Sequence, residues 1–233
     1  MSKKFPGIEK KFELFSGNFL REINEFDYIY CLFSAGYHST TSVLKLHELG
    51  YKNVFLLHCN TYLQTKYVLN LIQEIVFKTD YPINFIEPNK HGLRIGQIIK
   101  KSMEQIPRII QDFRENKHNY RDYIICCKYL KKSSSRKWYT KNLLDKSKSV
   151  IISSLCPFES FNRNMRLTEL RKKNTYIRLH KKFGKVYYAY PFRDIYSDRP
   201  FHNYLISKGI IPEHSGCVIC PIREAYKMWK GYE

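Results

Sequence analysis

Short apolar runs alternate along this chain with segments of helical character. Three of these runs have the length and composition of strands: Tyr28–Phe33, Val54–Cys59 and Ile83–Ile86. The first is typical of a strand buried on both faces. Between them lie Thr41–Leu49 and Lys66–Phe77, which are predicted to be helices. Strands that alternate with helices form βαβ units, and the strands of such units pair in parallel. The pattern therefore predicts an α/β fold built on a parallel sheet.

The second half of the chain continues this pattern. Val150–Leu155 and Val186–Tyr190 are predicted to be the fourth and fifth strands. Helices are predicted over residues 9–25, over residues 96–118 with an interruption at Pro107, and over residues 198–208. The sequence thus predicts a Rossmann-like parallel five-stranded sheet flanked by helices, with a basic helical insertion and a C-terminal cap that carries cysteines.

The charge of the chain is distributed unevenly. Forty Lys and Arg residues against 21 Asp and Glu residues give a net charge of +19. Residues 100–185 contain 23 Lys and Arg and seven Asp and Glu, so they carry +16 of that charge. A basic surface of this size attracts polyanions through its field and through counterion release, so tRNA, other RNA or DNA is a predicted partner. The alternative is a solvated lysine-rich surface without a ligand.

Membrane and secretory signals are not found in the sequence. No stretch approaches the ~18 consecutive apolar residues that a membrane span needs. The N-terminal residues are basic, but they are not followed by the apolar segment of a signal peptide. We therefore expect a cytoplasmic protein without a membrane partner.

A turn of small residues, Ser-Ala-Gly-Tyr-His-Ser-Thr at positions 34–40, follows the first predicted strand. A turn between a strand and a helix N-terminus is suited to phosphate, because its backbone N–H groups and the helix dipole favour negative charge. The turn lacks the Gly-Lys-Ser/Thr ending of a P-loop. The predicted phosphate contacts are Ser34, Gly36, Ser39 and Thr40.

Seven cysteines, an odd number, argue against a disulfide framework in a chain expected in the cytoplasm. Four of them form two pairs, Cys126-Cys127 and Cys217-x-x-Cys220, which suit a [4Fe–4S] cluster or a tetrahedral zinc. The cluster is favoured over zinc, because the side chains of adjacent cysteines diverge. The remaining three are interpreted as buried small hydrophobic residues in or next to apolar strands: Cys31, Cys59 and Cys156.

The order of these motifs resembles the phosphoadenylyl-sulfate (PAPS) reductase family of the adenine nucleotide α-hydrolase superfamily. Residues 34–39 are similar to the superfamily's PP-loop, Ser-Gly-Gly-x-Asp-Ser, and residues 58–61 lie where the family's second strand ends in Asp-Thr. Cys126-Cys127, followed by three lysines, is similar to the Cys-Cys-x-x-x-Lys segment of the iron–sulfur members.

Three later motifs continue the resemblance. Residues 155–163 are similar to the family's Gly-x-Arg-x-x-Glu-Ser-x-x-Arg loop, with Glu159, Ser160 and Arg163 matching. Residues 190–194 resemble Tyr-Pro-Ile-x-Asp-Trp, and residues 216–221 resemble Gly-Cys-x-x-Cys-Pro. The matches follow the family's order across about residues 28–224.

The resemblance implies a single PAPS reductase-like domain over residues 1–233. We divide it into an N-terminal helix (1–26), a nucleotide-binding core (27–155) and a C-terminal cap (156–233) that completes the metal site. The implied ligand is an adenine nucleotide: ATP, adenylyl sulfate or PAPS. The implied site residues are His38 and Arg163 for catalysis; Ser34, Gly36, Ser39, Thr40, Asn60, Lys128, Glu159, Ser160 and Arg166 for the nucleotide; and Cys126, Cys127, Cys217 and Cys220 for the metal.

The chain also departs from the family pattern. Ala35 replaces a PP-loop glycine, His38 replaces the PP-loop aspartate, and Asn60 replaces the aspartate of Asp-Thr. In the superfamily that aspartate helps to place the metal and the phosphates, so ATP pyrophosphatase activity does not follow from the resemblance. The cysteine that the reductases carry in a C-terminal Glu-Cys-Gly context has no counterpart after Cys220.

Three functions are compatible with this sequence. The favoured hypothesis is an iron–sulfur enzyme that transfers sulfur to nucleic acid. The alternatives are an adenylyl-sulfate or PAPS reductase of sulfur assimilation, and a non-catalytic nucleotide-binding subunit. The reductase would need a stand-in nucleophile from Cys31, Cys59, Cys156 or a second chain. A redox partner such as thioredoxin or ferredoxin, and a homodimer, are further expectations.

Overall fold

A central six-stranded sheet organises the computed structural model, which describes residues 13–117, 124–159, 161–181, 185–211 and 220–231. The strand order is β3-β2-β1-β4-β6-β5. All neighbouring strands are parallel except β5 and β6, which pair antiparallel. The strands are β1 Tyr28–Leu32, β2 Val54–Cys59, β3 Ile83–Ile86, β4 Ser149–Ile152, β5 Ile177–His180 and β6 Val186–Ala189.

Nine α-helices lie within the described ranges. Two begin at side-chain caps: Ser16 Oγ accepts the Phe19 N–H (3.1 Å), and Thr65 Oγ1 accepts the Val68 N–H (3.2 Å). A π-helical segment, Cys127–Ser133, runs directly into α6, and a 3₁₀ turn, Pro157–Glu159, precedes α7. The helices are α1 Gly17–Ile23, α2 Tyr37–Glu48, α3 Lys66–Thr79, α4 Ile95–Met103, α5 Ile106–Arg114, α6 Ser134–Asn142, α7 Phe161–Lys172, α8 Arg199–Ser207 and α9 Pro221–Lys230.

The core lies on both faces of the sheet. Successive residues of β1 point to opposite faces, so Ile29 and Cys31 belong to one hydrophobic cluster and Tyr30 to another. The first cluster includes buried residues of α1, α2, α3 and α8, and the second includes Tyr139 of α6. Helices therefore cover the sheet from both sides. None of the helices in the described ranges is both long and apolar enough to cross a membrane.

The α/β prediction is confirmed, but the sheet has six strands instead of five. The missed strand, β5, lies at the edge and is only partly buried, so it lacks the continuous apolar run that marks an inner strand. Residues 155–163, expected to be a loop, include the 3₁₀ turn and the start of α7. Of the N-terminal helix predicted over residues 9–25, the described part is helical from Gly17 to Ile23, and residues 1–12 lie outside the description. The three-part domain division stays a prediction.

The strand order reverses between β1 and β4. From β1 the chain proceeds through β2 to β3 on one side, and it then returns to place β4 on the other side. In open α/β sheets, ligands bind outside the carboxyl ends of the strands at such a reversal. A ligand-binding site is therefore expected at the segments that follow β1 and β4.

A buried arginine joins the segment after β6 to the loop between α7 and β5. Arg193 is only 5% exposed, and its guanidinium lies 3.6 Å from the ring centroid of Tyr176. It donates to the carbonyls of Leu170 (3.3 Å) and Thr175, and its Nε pairs with Asp194 at 3.0 Å. Nearly all of its donors are thus used inside the fold.

Replacing Arg193 with alanine should lower the free energy of unfolding by about 3 kcal/mol, because buried carbonyls and a carboxylate lose their partner. The matched control is Arg178→Ala, which breaks an exposed ion pair with Glu169 (3.1 Å) and should cost less than about 1 kcal/mol. Urea unfolding of both variants measures the difference. Equal losses would show that Arg193 does not hold these segments together.

Candidate functional site

The turn after β1 has an unusual backbone at Ala35. This residue is fully buried and has a φ of 55°, in the left-handed region that favours glycine. Gly36 follows as the N-cap of α2, with φ −88° and ψ 162°, a conformation open to any residue. The position that favours glycine by conformation thus holds alanine, and the glycine beside it has no conformational need to be glycine.

The Ser39 side chain closes this turn. Its hydroxyl donates to the Gly36 carbonyl (3.0 Å) and accepts the Ser34 N–H (3.2 Å). The Ser34 hydroxyl lies 3.2 Å from that of Ser39, and it donates because the Ser39 proton is already used. Thr40 is fully buried and, among the described residues, its hydroxyl has no hydrogen-bond partner. The predicted phosphate contacts therefore share one turn, where Ser34 and Ser39 hold its shape.

Two hydrogen bonds attach the turn to the neighbouring strands. Ser42 and Ser154 hydroxyls are 2.7 Å apart and join α2 to the segment after β4. His58, on β2, lies 2.8 Å through Nδ1 from the Phe33 carbonyl, and its Nε2 lies 3.0 Å from Gln64 Nε2. The Gln64 amide must donate, so His58 is the tautomer that carries its proton on Nδ1 and donates to Phe33.

His38 lies between two carboxylates that come from distant parts of the chain. Its Nε2 is 2.8 Å from Asp198 Oδ1, just before α8. Its Nδ1 is 3.7 Å from Glu159 Oε1, in the 3₁₀ turn after β4. His38, which follows β1, thus contacts two segments that follow β4 and β6 on the other side of the strand reversal.

Glu159 is held by its own segment. Its Oε2 accepts the Cys156 N–H at 2.9 Å, and its Oε1 forms an ion pair with Arg163. Arg163 lies on α7, one helical turn later. The two residues matched to the family loop are therefore in direct contact, and Glu159 also contacts His38.

Cys156 completes this group. In the part of the chain that the structure describes, one set of three His, Cys, Asp or Glu side chains is close enough to share a metal ion: His38, Cys156 and Glu159, whose ligand atoms all lie within 4.8 Å of one another. Cys156 is fully buried. Burial, followed by the nearby charges of Glu159 and Asp198, raises the pKa of its thiol. The prediction that Cys156 is buried is correct, but its position next to His38 was not expected.

Three other residues predicted to bind the nucleotide, Asn60, Lys128 and Arg166, have described neighbours outside the turn after β1. Asn60, after β2, donates to Glu87 Oε1 at 3.1 Å. Lys128 lies in the π-helical segment, with its Nζ 5.8 Å from the ring centroid of Tyr129. Arg166 lies on α7, close enough to His180 that its charge, after burial and Arg178, contributes to the lowered pKa of that histidine. Their roles stay predictions, and Ser160 lies outside the described residues.

The described members of the two cysteine pairs, Cys126, Cys127 and Cys220, lie beside α5 and α9. Cys126 and Cys127 are half-buried against a hydrophobic cluster that includes Ile109 of α5 and Ala225 of α9. The Cys126 N–H donates to Ser102 Oγ at 2.9 Å, and Cys220 is the residue immediately before α9. Packing of α9 on α5 thus brings the C-terminal segment to the Cys126 side of the molecule. Cys217 is not among the described residues.

The thiol geometry bears on the choice of metal. Around one tetrahedral zinc with Zn–S bonds of about 2.3 Å, sulfur atoms lie only about 3.8 Å apart. Cys126, Cys127 and Cys220 do not form such a compact group in the described part of the chain. In a [4Fe–4S] cluster each thiolate binds a different iron, so more widely spaced thiols suit it. Four thiolates are a donor set for a [4Fe–4S] cluster as well as for a structural zinc, so the residue types fit either group.

Two features of the site were not found from the sequence. Asp198 is 160 residues from His38 and carries no signal beyond its place before a predicted helix. Cys156 lies next to an apolar strand, where a lone cysteine is usually a small hydrophobic residue. Both are recognisable only in the folded chain, where Cys156 and Asp198 lie beside His38.

Comparisons with known proteins address the fold. No protein-family model matches the chain, and no curated protein matches its sequence. Among solved structures, the chain is similar to the phosphate complex of a phosphoadenylyl-sulfate (PAPS) reductase from Candida auris. The TM-score is 0.52 at 10% sequence identity, over 83% of this chain and 79% of that one. The chain has a PAPS reductase-like fold. This agrees with the motif order read from the sequence.

The pH dependence of stability should report the His58 contact beneath the turn. Burial lowers the pKa of His58 below its ordinary value of 6.5. A depressed folded-state pKa means that the unfolded chain binds the proton more readily, so stability is present above about pH 6.5 and is lost as pH falls. His58→Gln should therefore lose less stability than the wild type between pH 7.5 and 5.5.

Urea unfolding at the two pH values measures this difference. The pKa of His180 is also lowered, so His58→Gln should still lose some stability as the pH falls. If wild type and His58→Gln lose the same free energy of unfolding, the neutral His58–Phe33 contact is not what makes the protein sensitive to acid.

Proposed function

We propose that this protein binds an adenine nucleotide through its phosphates at the turn between β1 and α2. The observation that carries the proposal is the meeting of this turn with Glu159 and Arg163 at the strand reversal. The turn opens a 12-residue helix, whose N-terminus favours negative charge. The PAPS reductase-like fold, seen in a neighbour that holds phosphate, supports the same assignment.

Arg163 is the proposed phosphate ligand from α7. Its guanidinium is 22% exposed and is paired with Glu159 Oε1, so it is oriented before a ligand arrives and can still be reached. Arginine binds phosphate oxygens through parallel N–H donors, and a bound phosphate would compete with Glu159 for them. In this proposal Glu159 positions the guanidinium, and Arg163 stabilises charge on the phosphates.

Gly36→Val tests the phosphate position without disturbing the backbone. The extended conformation of Gly36 accommodates valine, so the added side chain should act by occupying space above the turn. We expect affinity for ATP or adenylyl sulfate, measured by calorimetry, to fall at least tenfold. The control is Gly96→Val on α4, where an added Cβ meets no atom within 4 Å. Unchanged binding by Gly36→Val would place the phosphates elsewhere.

We further propose that Cys126, Cys127, Cys217 and Cys220 hold a [4Fe–4S] cluster. When bound, such a cluster would transfer electrons or bind the sulfide that is delivered to the substrate. The half-buried Cys126 and Cys127, and the packing of α9 on α5, support this assignment. Because these clusters are sensitive to oxygen, the assignment favours the reducing cytoplasm.

Cys126→Ser should remove the iron from anaerobically purified protein and bleach its visible absorbance. It should also lower the melting temperature, because the bound cluster would tie the Cys126 segment to the residues before α9. The control is Cys31→Ser, since Cys31 is a buried core residue of β1 outside the two pairs. Four irons per chain in Cys126→Ser would contradict the ligand set.

The proposed reaction is sulfur transfer to a base of tRNA, other RNA or DNA. A carbonyl oxygen of the base attacks the α-phosphate of ATP and releases pyrophosphate. Sulfide then attacks the same base carbon, and AMP leaves with the oxygen. The exchange is redox-neutral with sulfide, whereas a persulfide donor would require two electrons from a partner such as ferredoxin or thioredoxin.

The described thiols outside the two cysteine pairs do not favour a sulfonucleotide reductase. Such an enzyme needs a thiolate nucleophile. Burial raises the pKa of Cys31 and Cys156, and it raises that of Cys59 despite hydrogen bonding to Ser135. The surroundings of these three thiols therefore do not activate any of them as a nucleophile, which gives no support to the reductase alternative.

Nucleic-acid binding should depend on exposed cations at the end of α7. Lys172 and Lys173 are exposed, whereas Arg171 donates to the Arg193 carbonyl (2.8 Å) and to Asn164 (2.7 Å) and is needed by the fold. With ~5 phosphate contacts, the slope of log K against log salt should be near −3.5 for single-stranded RNA.

The double variant Lys172→Glu, Lys173→Glu should weaken RNA binding and make that slope shallower by about 1.4, since each lost contact contributes about 0.7. Adenine-nucleotide affinity should stay unchanged. Filter binding from 50 to 200 mM salt measures the slope. A wild-type protein without RNA or DNA affinity at low salt would refute the nucleic-acid part of the proposal and leave the nucleotide site untouched.

A further inference from the structure

His38, Cys156 and Glu159 bring three different metal-ligating atoms together at the strand reversal. Their ligand atoms lie within 4.8 Å of one another, and His38 Nδ1 is 3.7 Å from Glu159 Oε1. Ligands bonded to one tetrahedral zinc at about 2.0–2.3 Å are separated by about 3.3–3.8 Å. A small inward movement of the side chains would therefore produce zinc geometry. We propose that these three residues form a zinc site separate from the paired cysteines.

The surroundings of His38 support this assignment. Its Nε2 is 2.8 Å from Asp198 Oδ1, so the carboxylate accepts the ring proton there and leaves the Nδ1 lone pair facing Glu159. A ligating histidine that donates its other N–H to a carboxylate is the usual arrangement at protein zinc centres. Asp198 is thus a positioning residue, which fixes the tautomer and the ring orientation.

Glu159 is oriented in a comparable way. The Cys156 N–H binds its Oε2 at 2.9 Å, which directs Oε1 toward His38. The same backbone segment therefore supplies one ligand, the Cys156 thiol, and orients a second. Arg163 now pairs with Oε1, so zinc and Arg163 would compete for this oxygen or share it.

The donor atoms select the metal. Thiolate and imidazole favour Zn²⁺, whereas Mg²⁺ and Ca²⁺ prefer sites made of oxygen atoms. Zinc binding would displace the thiol proton of Cys156 to solvent and leave a thiolate ligand. Three protein ligands leave a fourth position for water or an anionic oxygen, as at catalytic zinc sites.

The test is a zinc titration of the full-length protein after chelator treatment, with a chromophoric chelator as competitor. His38→Ala, Cys156→Ser and Glu159→Gln should each bind one zinc fewer per chain than the wild type, or bind it at least tenfold more weakly. Cys126→Ser should keep this zinc, and so should Cys31→Ser, a matched control for loss of a buried thiol. Mg²⁺ should not compete at a hundredfold excess.

Cobalt substitution identifies the sulfur ligand. Co²⁺ in Cys126→Ser should show a thiolate-to-metal charge-transfer band that the double variant Cys126→Ser, Cys156→Ser lacks; this background is used because the intact cysteine pairs also offer thiolates to Co²⁺. Asp198→Asn leaves all three ligands in place, so it should weaken zinc binding by about 10- to 100-fold while keeping that band.

Circular dichroism separates loss of ligands from loss of fold. If Cys156→Ser unfolds, His38→Ala and Glu159→Gln decide the question, because both side chains are partly exposed. The proposal is overturned if folded His38→Ala and Glu159→Gln bind as much zinc as the wild type with equal affinity. It is also overturned if the cobalt–thiolate band is lost in Cys126→Ser. Neither result bears on nucleotide binding, which Gly36→Val tests.

Discussion

The parallel pairing of β1 with β4 is the constraint on which the candidate site depends. Its register, from Tyr28 opposite Ser149 to Cys31 opposite Ile152, ends both strands at the same level of the sheet. The chain that leaves β1 therefore meets the chain that leaves β4, although more than 100 residues separate them. The hydrogen bond between Ser42 and Ser154 holds the two segments together at this edge.

Asp198 brings a third segment to this edge, because the sheet continues from β4 to β6 and the chain then enters α8. The His38 imidazole consequently contacts the carboxylates of Asp198 and Glu159, and the Arg163 guanidinium contacts Glu159. Partly buried charges of one sign would repel strongly, whereas mixed charges of both signs compensate each other. Each of these groups therefore depends on the others for its position.

The sequence predicted local features better than those set by distant contacts. The bounds of β2 and β3 agree with the prediction, because each strand coincides with a short run of mainly apolar residues. The edge strand β5 was missed because partial exposure removes that signal. The turn and Glu159 were predicted as site residues from short motifs, whereas the contact between His38 and Asp198 spans 160 residues and follows only from the strand order.

The identity of residue 38 is best understood from its neighbours. An aspartate here, as in the superfamily's PP-loop, would place a third carboxylate beside Glu159 and Asp198, and the like charges would repel one another. Histidine instead donates to Asp198 and turns its second nitrogen toward Glu159. With histidine at this position, the group offers nitrogen, sulfur and oxygen donors, which suit zinc, whereas Mg²⁺ prefers sites made of oxygen atoms. His38 and its two acidic neighbours thus form a matched set, on which the proposed zinc site depends.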